Sequence, residues 1–219
     1  TMKDFEMCND CKKEYHDIDD RRFHAQPIAC DECGPQYSLT YNNTTIKDTS
    51  DIISKLVTLI RSNKIVAIKG LGGFFLACDA LSEETVSRLR ILKYREGKPF
   101  AVMFSNIDAI KEYAFVDSYE EDSLRSWKRP IVLLNQKSSL APSVSAGFNT
   151  IGAMLPYMPV HHLFFKESDT KAIVLTSGNM SDEPIITDNR KAAEKHNGIA
   201  DAILTYNRDI YNRTDDSVR

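Results

Sequence analysis

Four cysteines near the start of the chain have the type and spacing to hold a metal ion. Cys8 and Cys11 form one Cys-x-x-Cys pair, Cys30 and Cys33 a second, with 18 residues between the pairs. Such a turn lets two thiolates reach one ion, and two such turns complete a tetrahedron around zinc. About 40 residues bury too little apolar surface to fold securely alone, so a structural zinc supplies what so small a core lacks. The other reading of the four sulfurs is a pair of disulfides, which in a reducing compartment would need a thioredoxin-like context that is not seen here. Four thiolates leave no open coordination position, so the expected role is structural rather than catalytic. His16 and His24 lie between the pairs and are read as packing or surface residues. Cys78, alone among apolar neighbours, is read as a small buried hydrophobe.

A second group of residues could handle an anion. The segment Arg88 to Phe100 carries Arg88, Arg90, Lys93, Arg95 and Lys98, and Pro99 disfavours helix at Lys98. If Lys93-Tyr94-Arg95 is extended, Lys93 and Arg95 point to one side, and two cations at the end of a helix suit phosphate. The alternative is a solvated basic loop. Further on, Thr176-Ser177-Gly178-Asn179 follows a wholly apolar run, and the carboxyl end of such a strand is where α/β sheets place ligands. A hydroxyl and an amide there suit a phosphate or a small polar substrate, although Ser, Gly and Asn also make ordinary turns. The familiar phosphate loops are absent. Gly70-x-Gly72 lacks the third glycine of the dinucleotide fingerprint, because Phe75 stands there. Gly97-Lys98 has Leu92 where a Walker loop needs glycine, and no serine-centred nucleophile elbow occurs.

The elements that must position these groups follow from periodicity. Residues 1–38 hold four of the five cysteines and little apolar pattern, and Tyr37 to Tyr41 reads as a short strand ahead of a turn at Asn42-Asn43-Thr44-Thr45. A helix follows with Ser50 as its expected N-cap and Ile52, Ile53, Leu56, Val57, Leu59 and Ile60 on one face. Strands are expected at 65–68, 100–104, 131–134, 172–175 and 201–205, and helices at 83–92, 106–114 and near 188–196, with a further helix starting at Pro159. Helices interspersed among strands imply an α/β fold, a twisted mixed sheet with flanking helices, preceded by the four-cysteine module. The expected division is 1–40 for the zinc module and 45–219 for the α/β domain.

The chain's 219 residues are 42% hydrophobic and 27% charged, with 28 basic and 31 acidic side chains and a net charge of -3. That balance is ordinary for a folded domain and argues against a protein built mainly to bind a nucleic-acid backbone. No signal peptide or lipidation motif is visible, and apolar stretches such as Gly70 to Cys78 fall far short of a membrane span. A cytoplasmic location with reduced thiols is expected. The ends, Thr1-Met2 and Val218-Arg219, read as cuts in a longer protein, with the α/β domain truncated at its C-terminal side.

Taken together, these residues resemble a known family. Lys93-x-Arg95 followed by Lys98-Pro99-Phe100-Ala101-Val102, and Ser177-x-Asn179, look like the KxR and SxN signatures of YrdC-like domains. Arg129 to Leu134 and Ile151 to Pro156 match further segments. Lys69 to Phe74, Pro159-Val160-His161-His162, Thr176 to Asn179 and Arg213 to Val218 resemble the HypF-type carbamoyltransferases of hydrogenase maturation, whose finger has the same cysteine spacing and placement. The resemblance covers essentially the whole chain.

It implies that ATP and carbamate give carbamoyl-adenylate and pyrophosphate, a step toward passing a carbamoyl group to the C-terminal cysteine of a HypE-type partner protein. That group becomes a cyanide ligand of the nickel–iron hydrogenase centre. It implies roles for Lys93 and Arg95 on the phosphates, Lys98 in support, Ser177 and Asn179 on phosphate or magnesium, and Arg213 as a further phosphate contact. Zinc, ATP and magnesium are the implied cofactors. His161 and His162 are expected to pack or cap, and Asp215 and Asp216 to be a solvated terminus. Two rivals stand beside this reading: a threonylcarbamoyl-adenylate synthase serving tRNA modification, and a non-catalytic RNA-binding YrdC-like module. The zinc module and Gly70 to Gly73 argue against the first, the net charge against the second.

Overall fold

The apolar runs alternate between two hydrophobic faces, and that alternation builds the sheet. In β3 (Val66–Lys69) and β4 (Phe74–Asp79), Ala67, Leu76 and Cys78 face one core layer, while Val66, Ile68 and Ala77 face the other. A strand buried on both faces must be covered on both sides, and helices do this. The computed structural model describes residues 2–179 and 183–219. α2 (Thr49–Arg61) and α7 (Pro159–Glu167) cover one face through Ile52, Leu56, Val160 and Phe164. α3 (Glu83–Leu92), α4 (Ile107–Tyr113) and α5 (Ser118–Arg125) cover the other through Val86, Leu89, Ile110 and Leu124.

The remaining strands are β1 (Tyr37–Tyr41), β2 (Thr44–Ile46), β5 (Ala101–Phe104), β6 (Val132–Asn135), β7 (Thr150–Met154), β8 (Ala172–Ser177) and β9 (Ala202–Tyr206). With β3 and β4 they form, among the described residues, one nine-stranded sheet in the order β2-β1-β9-β3-β4-β8-β5-β7-β6. The β3–β9 and β5–β7 pairs are parallel and the others antiparallel, so the sheet is mixed, as expected. Short helices α1 (Asn9–His16), α6 (Pro142–Ser145) and α8 (Asn189–Lys195) complete the fold.

The four-cysteine module is continuous with this sheet. β1, which follows Cys33 by only a few residues, pairs along its whole length with β9, from Tyr37 opposite Tyr206 to Tyr41 opposite Ala202. The turn into β2 is made by Asn42 and Asn43, both left-handed at φ 48° and 60°, the geometry that matches a hairpin's twist. α2 differs from its expected start. Asp48, not Ser50, is the N-cap, accepting from the Asp51 amide at 3.0 Å, and the Ser50 hydroxyl donates to Asp48 instead. The order of strands brings the carboxyl ends of β3, β8 and β9 and the amino ends of β4 and β5 to one edge, where the candidate site lies.

Candidate functional site

The metal centre is built by two turns that converge. Cys8 occupies the N-cap of α1 in extended conformation, which puts Cys11 in the first turn with its sulfur facing back. Cys30 and Cys33 form the opposing turn, closed by the Gly34 amide donating to the Cys30 carbonyl at 2.8 Å. A Cβ on Gly34 would lie 2.7 Å from that oxygen, so glycine is needed there. The sulfurs of Cys8 and Cys30 are 3.6 Å apart, Cys30 and Cys33 3.8 Å, Cys11 and Cys33 3.6 Å. Four sulfurs each about 2.3 Å from a tetrahedral zinc would be separated by about 3.8 Å, so the donor set fits that ion. The thiols divide: backbone hydrogen bonds from Cys8 and Cys30 pull Cys33 down to about 6, while burial pushes Cys11 up to about 12. His16 and His24 are outside this cluster, and the His24 ring stacks between Tyr15 and Phe23.

The second site lies where α3 ends and β8 ends. Lys93 caps α3, and the chain does not continue extended: Tyr94 turns to a left-handed φ of 49° and is 79% exposed. Lys93, itself still helical and one turn after the buried Leu89, points inward, 3% exposed, and its Nζ donates to the carbonyl oxygens of Ser177 at 2.6 Å and Asn179 at 2.5 Å. The condition of an extended run over residues 93–95, under which Lys93 and Arg95 would point to one side, is therefore not met. Burial, and secondly the Arg95 charge, push the Lys93 amine down to about 8. Arg95 is half-buried beside it, bracketing its own turn by donating to the carbonyls of Lys98 at 3.3 Å and Pro99 at 3.0 Å. Arg90 braces the same turn from α3 through the carbonyls of Arg95 and Lys98, and both guanidinium groups lie over the Phe100 ring. The Lys98 side chain is exposed at the rim.

Three of the expected residues thus come together: Lys93, Ser177 and Asn179, with Arg95 adjoining. The Asn179 amide also reaches the Glu183 carbonyl at 2.5 Å. Gly178 has no room for a side chain, since a Cβ would sit 2.8 Å from the Phe74 carbonyl oxygen and 2.9 Å from His196 Nε2. Its amide donates to that same Phe74 oxygen at 2.6 Å, which ties the loop to the Gly70–Gly73 turn ahead of β4. On the other side of that turn, a Cβ on Gly72 would collide with Thr214, so the terminal segment passes directly over the glycines. Arg213 rides on this segment, exposed, and shares no hydrogen bond with Lys93, Ser177 or Asn179 among the described residues.

Asp216 departs from the solvated terminus expected of it. It is half-buried in a hollow of about 230 Å³ with Gly72, Arg129 and Tyr157, and burial, then Asp215, raises its carboxyl pKa. A broader depression of about 660 Å³ is lined by Arg90, Tyr94, Arg95, Gly97 and Ser143 but not by Ser177 or Asn179, so the bonds rather than the depression define the site.

Two buried polar side chains make long-range bonds that sequence reasoning does not foresee. Lys69 ends β3 with 1% exposure, its Nζ donating to the carbonyls of Tyr206 at 3.0 Å and Arg208 at 2.8 Å and lying over the Tyr206 ring. His196, at the end of α8, is 1% exposed and meets the Gly178 carbonyl. Lys69 opens the Lys69 to Phe74 motif, but nothing local announces its distant partners, and the His196-Asn197-Gly198 run reads as an ordinary helix-ending turn. His161 packs, as expected, edge-on against Tyr157 at 3% exposure, and Cys78 is fully buried.

Comparison with known proteins adds to this geometry. The Sua5/YciO/YrdC family model, described as telomere recombination, matches residues 58–219, and the HypF finger matches residues 7–40. The carbamoyltransferase HypF of Rhodobacter capsulatus is 42% identical over 218 residues, covering 100% of this chain and 29% of that protein. The structure of a full-length HypF in its phosphate- and nucleotide-bound form superposes with a TM-score of 0.92 at 50% identity, over 99% of this chain and 28% of that one. HypF of T. kodakarensis gives 0.91 at 43% identity, over 99% and 29%. The chain therefore spans under a third of the length of these relatives.

Proposed function

The chain belongs to the Sua5/YciO/YrdC family, in the form that carries a HypF finger ahead of that domain, and from this premise we propose that it forms carbamoyl-adenylate from ATP and carbamate. In this reading a carbamate oxygen attacks the α-phosphorus of ATP, a new P–O bond forms, and the bond to pyrophosphate breaks. Carbamate is already an anion, so no general base is required. Negative charge grows on the phosphate oxygens, and fixed cations stabilise it better than mobile water. Arg95, half-buried and held by its own turn, supplies a planar donor set for phosphate, with Lys98 beside it at the rim. Lys93 spends two of its three N–H bonds on the Ser177 and Asn179 carbonyls and has one left for an oxygen of the ligand. Ser177 and Asn179 close the opposite wall, and Arg213 joins from the segment over Gly72. Magnesium enters with the nucleotide, held largely by phosphate and water.

The observation that carries this reading is the joining of Lys93 to Ser177 and Asn179, which brings the two sequence signatures into one site. The wider activity follows from the likeness to HypF proteins. In the full-length protein the carbamoyl group passes on to the C-terminal cysteine of a HypE-type partner, serving nickel–iron hydrogenase maturation in the reducing cytoplasm. Hydrolysis of carbamoyl phosphate and the final transfer belong to other parts of such a protein.

The experiment measures pyrophosphate from ATP with each donor in turn. Carbamate, made by mixing bicarbonate and ammonia, is expected to support release, and carbamoyl phosphate alone is not. Threonine with bicarbonate replacing ammonia as the better donor would move the assignment to threonylcarbamoyl-adenylate synthesis.

A further inference from the structure

The Ser177–Asn179 loop is held by two side chains far apart in sequence, one at the end of α3 and one at the end of α8. Three successive carbonyls, those of Ser177, Gly178 and Asn179, are each taken by a buried group. Lys93 takes the first and third, at 2.6 and 2.5 Å, and His196 Nε2 takes the middle one at 2.8 Å. A carbonyl oxygen can only accept, so Nε2 carries the proton and the neutral ring has its lone pair on Nδ1. Nδ1 is buried without a hydrogen-bond partner among the described residues, so moving the proton onto it would trade a made bond for two lone pairs facing each other. The Phe74 ring lies 5.9 Å from the imidazole, and the helix-ending amides of Ile199 and Ala200 donate to the His196 main-chain carbonyl and hold its backbone.

We propose that His196 is the positioning residue of this loop, holding the Gly178 carbonyl so that the turn from Ser177 to Asn179 keeps one shape when the nucleotide binds. Gly178 is the other half of the arrangement, because any Cβ there would press against Nε2 at 2.9 Å and against the Phe74 carbonyl at 2.8 Å. The imidazole reaches no substrate atom in this account; it acts through the loop. Its effect on rate rests on the adenylation reading, whereas its contact with Gly178 does not.

The test compares His196→Ala and His196→Gln in the pyrophosphate assay, with melting temperature and zinc content recorded for each. An amide can still donate to the Gly178 oxygen, so the Gln variant is expected within about threefold of the parent kcat/KM, and the Ala variant at least tenfold below it per folded molecule. Equal losses in the two, or a loss that simply follows the unfolded fraction, would overturn the proposal. Should the Ala variant fail to fold, ¹⁵N spectra of the histidine-labelled parent chain at neutral pH decide. They are expected to show a neutral Nε2–H ring coupled through its hydrogen bond to the Gly178 carbonyl; an Nδ1–H or doubly protonated ring overturns the assignment. If the parent releases no pyrophosphate with any donor, the adenylation reading fails and the spectra still decide the role of His196.

Discussion

Lys93 Nζ donates to the carbonyl oxygen of Ser177 at 2.6 Å, joining the end of α3 to the end of β8 across 84 residues of chain. The bond makes Lys93 a structural clamp, the adenylation proposal gives it a second role on the ligand, and the two roles have separable consequences.

Replacing Lys93 with alanine removes the charge and strands the carbonyls of Ser177 and Asn179. A hydrogen bond to a charged group contributes roughly 1.5–3 kcal/mol. Lys93→Ala is therefore expected to lower pyrophosphate release at least tenfold and also to lower the melting temperature by several degrees. A Lys93 that met only solvent or ligand would leave the melting temperature unmoved on replacement. Calorimetry of the purified variant separates the two views.

Arg95 carries the same charge without the clamp. Its bonds to Lys98 and Pro99 lie within its own turn, and its side chain is half-buried. Arg95→Ala should keep the melting temperature within a degree or two while cutting the rate at least tenfold, since about 1.4 kcal/mol is a factor of ten. An unchanged rate would leave the turn as a plain surface loop.

The four sulfurs define a third expectation. One zinc per chain should be released by strong chelation, or by acid as the thiolates protonate. Cys30→Ser should abolish stoichiometric zinc and loosen residues 2–36, while β1 stays protected from hydrogen exchange through its pairing with β9. Protein purified under reducing conditions and found free of zinc would refute the metal assignment.

His161 sets a pH dependence of stability. Burial first, and then the neighbouring His162, push its imidazole from an ordinary 6.5 down to about 3. Between those values the unfolded chain holds the extra proton and the folded chain does not, so stability falls as pH drops from about 6.5 toward 3, and this group adds no slope above that window. His161→Phe keeps a ring against Tyr157 and removes the proton site, so its denaturant midpoint should fall less steeply with acid than the parent's. Matching slopes would show that the imidazole titrates as it does in water.

Much of this was legible from local chemistry. The cysteine spacing, the apolar face of α2, the full length of α3 and the buried run of β8 each declare themselves within a few residues. What stayed hidden depends on a single dihedral or on distant chain. Lys93 keeps helical dihedrals on the buried side of α3, four residues after Leu89, and the chain leaves the helix only at Tyr94 with a left-handed φ that no propensity of tyrosine announces. β4, α5 and β7 lie in segments that sequence patterning left without an element, among them the apolar stretch after Gly73. The pairing of β1 with β9, the Lys69 bonds to residues 206 and 208 and the His196 contact with Gly178 join residues 18 to 167 positions apart, or more in the sheet. Periodicity places such residues on elements but does not say which elements meet.

The central claim is that this chain makes an acyl-adenylate, and isotope exchange tests it most directly. Adenylate formation is reversible, so labelled pyrophosphate should enter ATP when the chain, magnesium and carbamate are all present. Omitting carbamate should stop the exchange, and the Lys93→Ala, Arg95→Ala double variant should lose it. Exchange that needs no carbamate, or none at all from folded, zinc-loaded protein that binds ATP, would contradict the account.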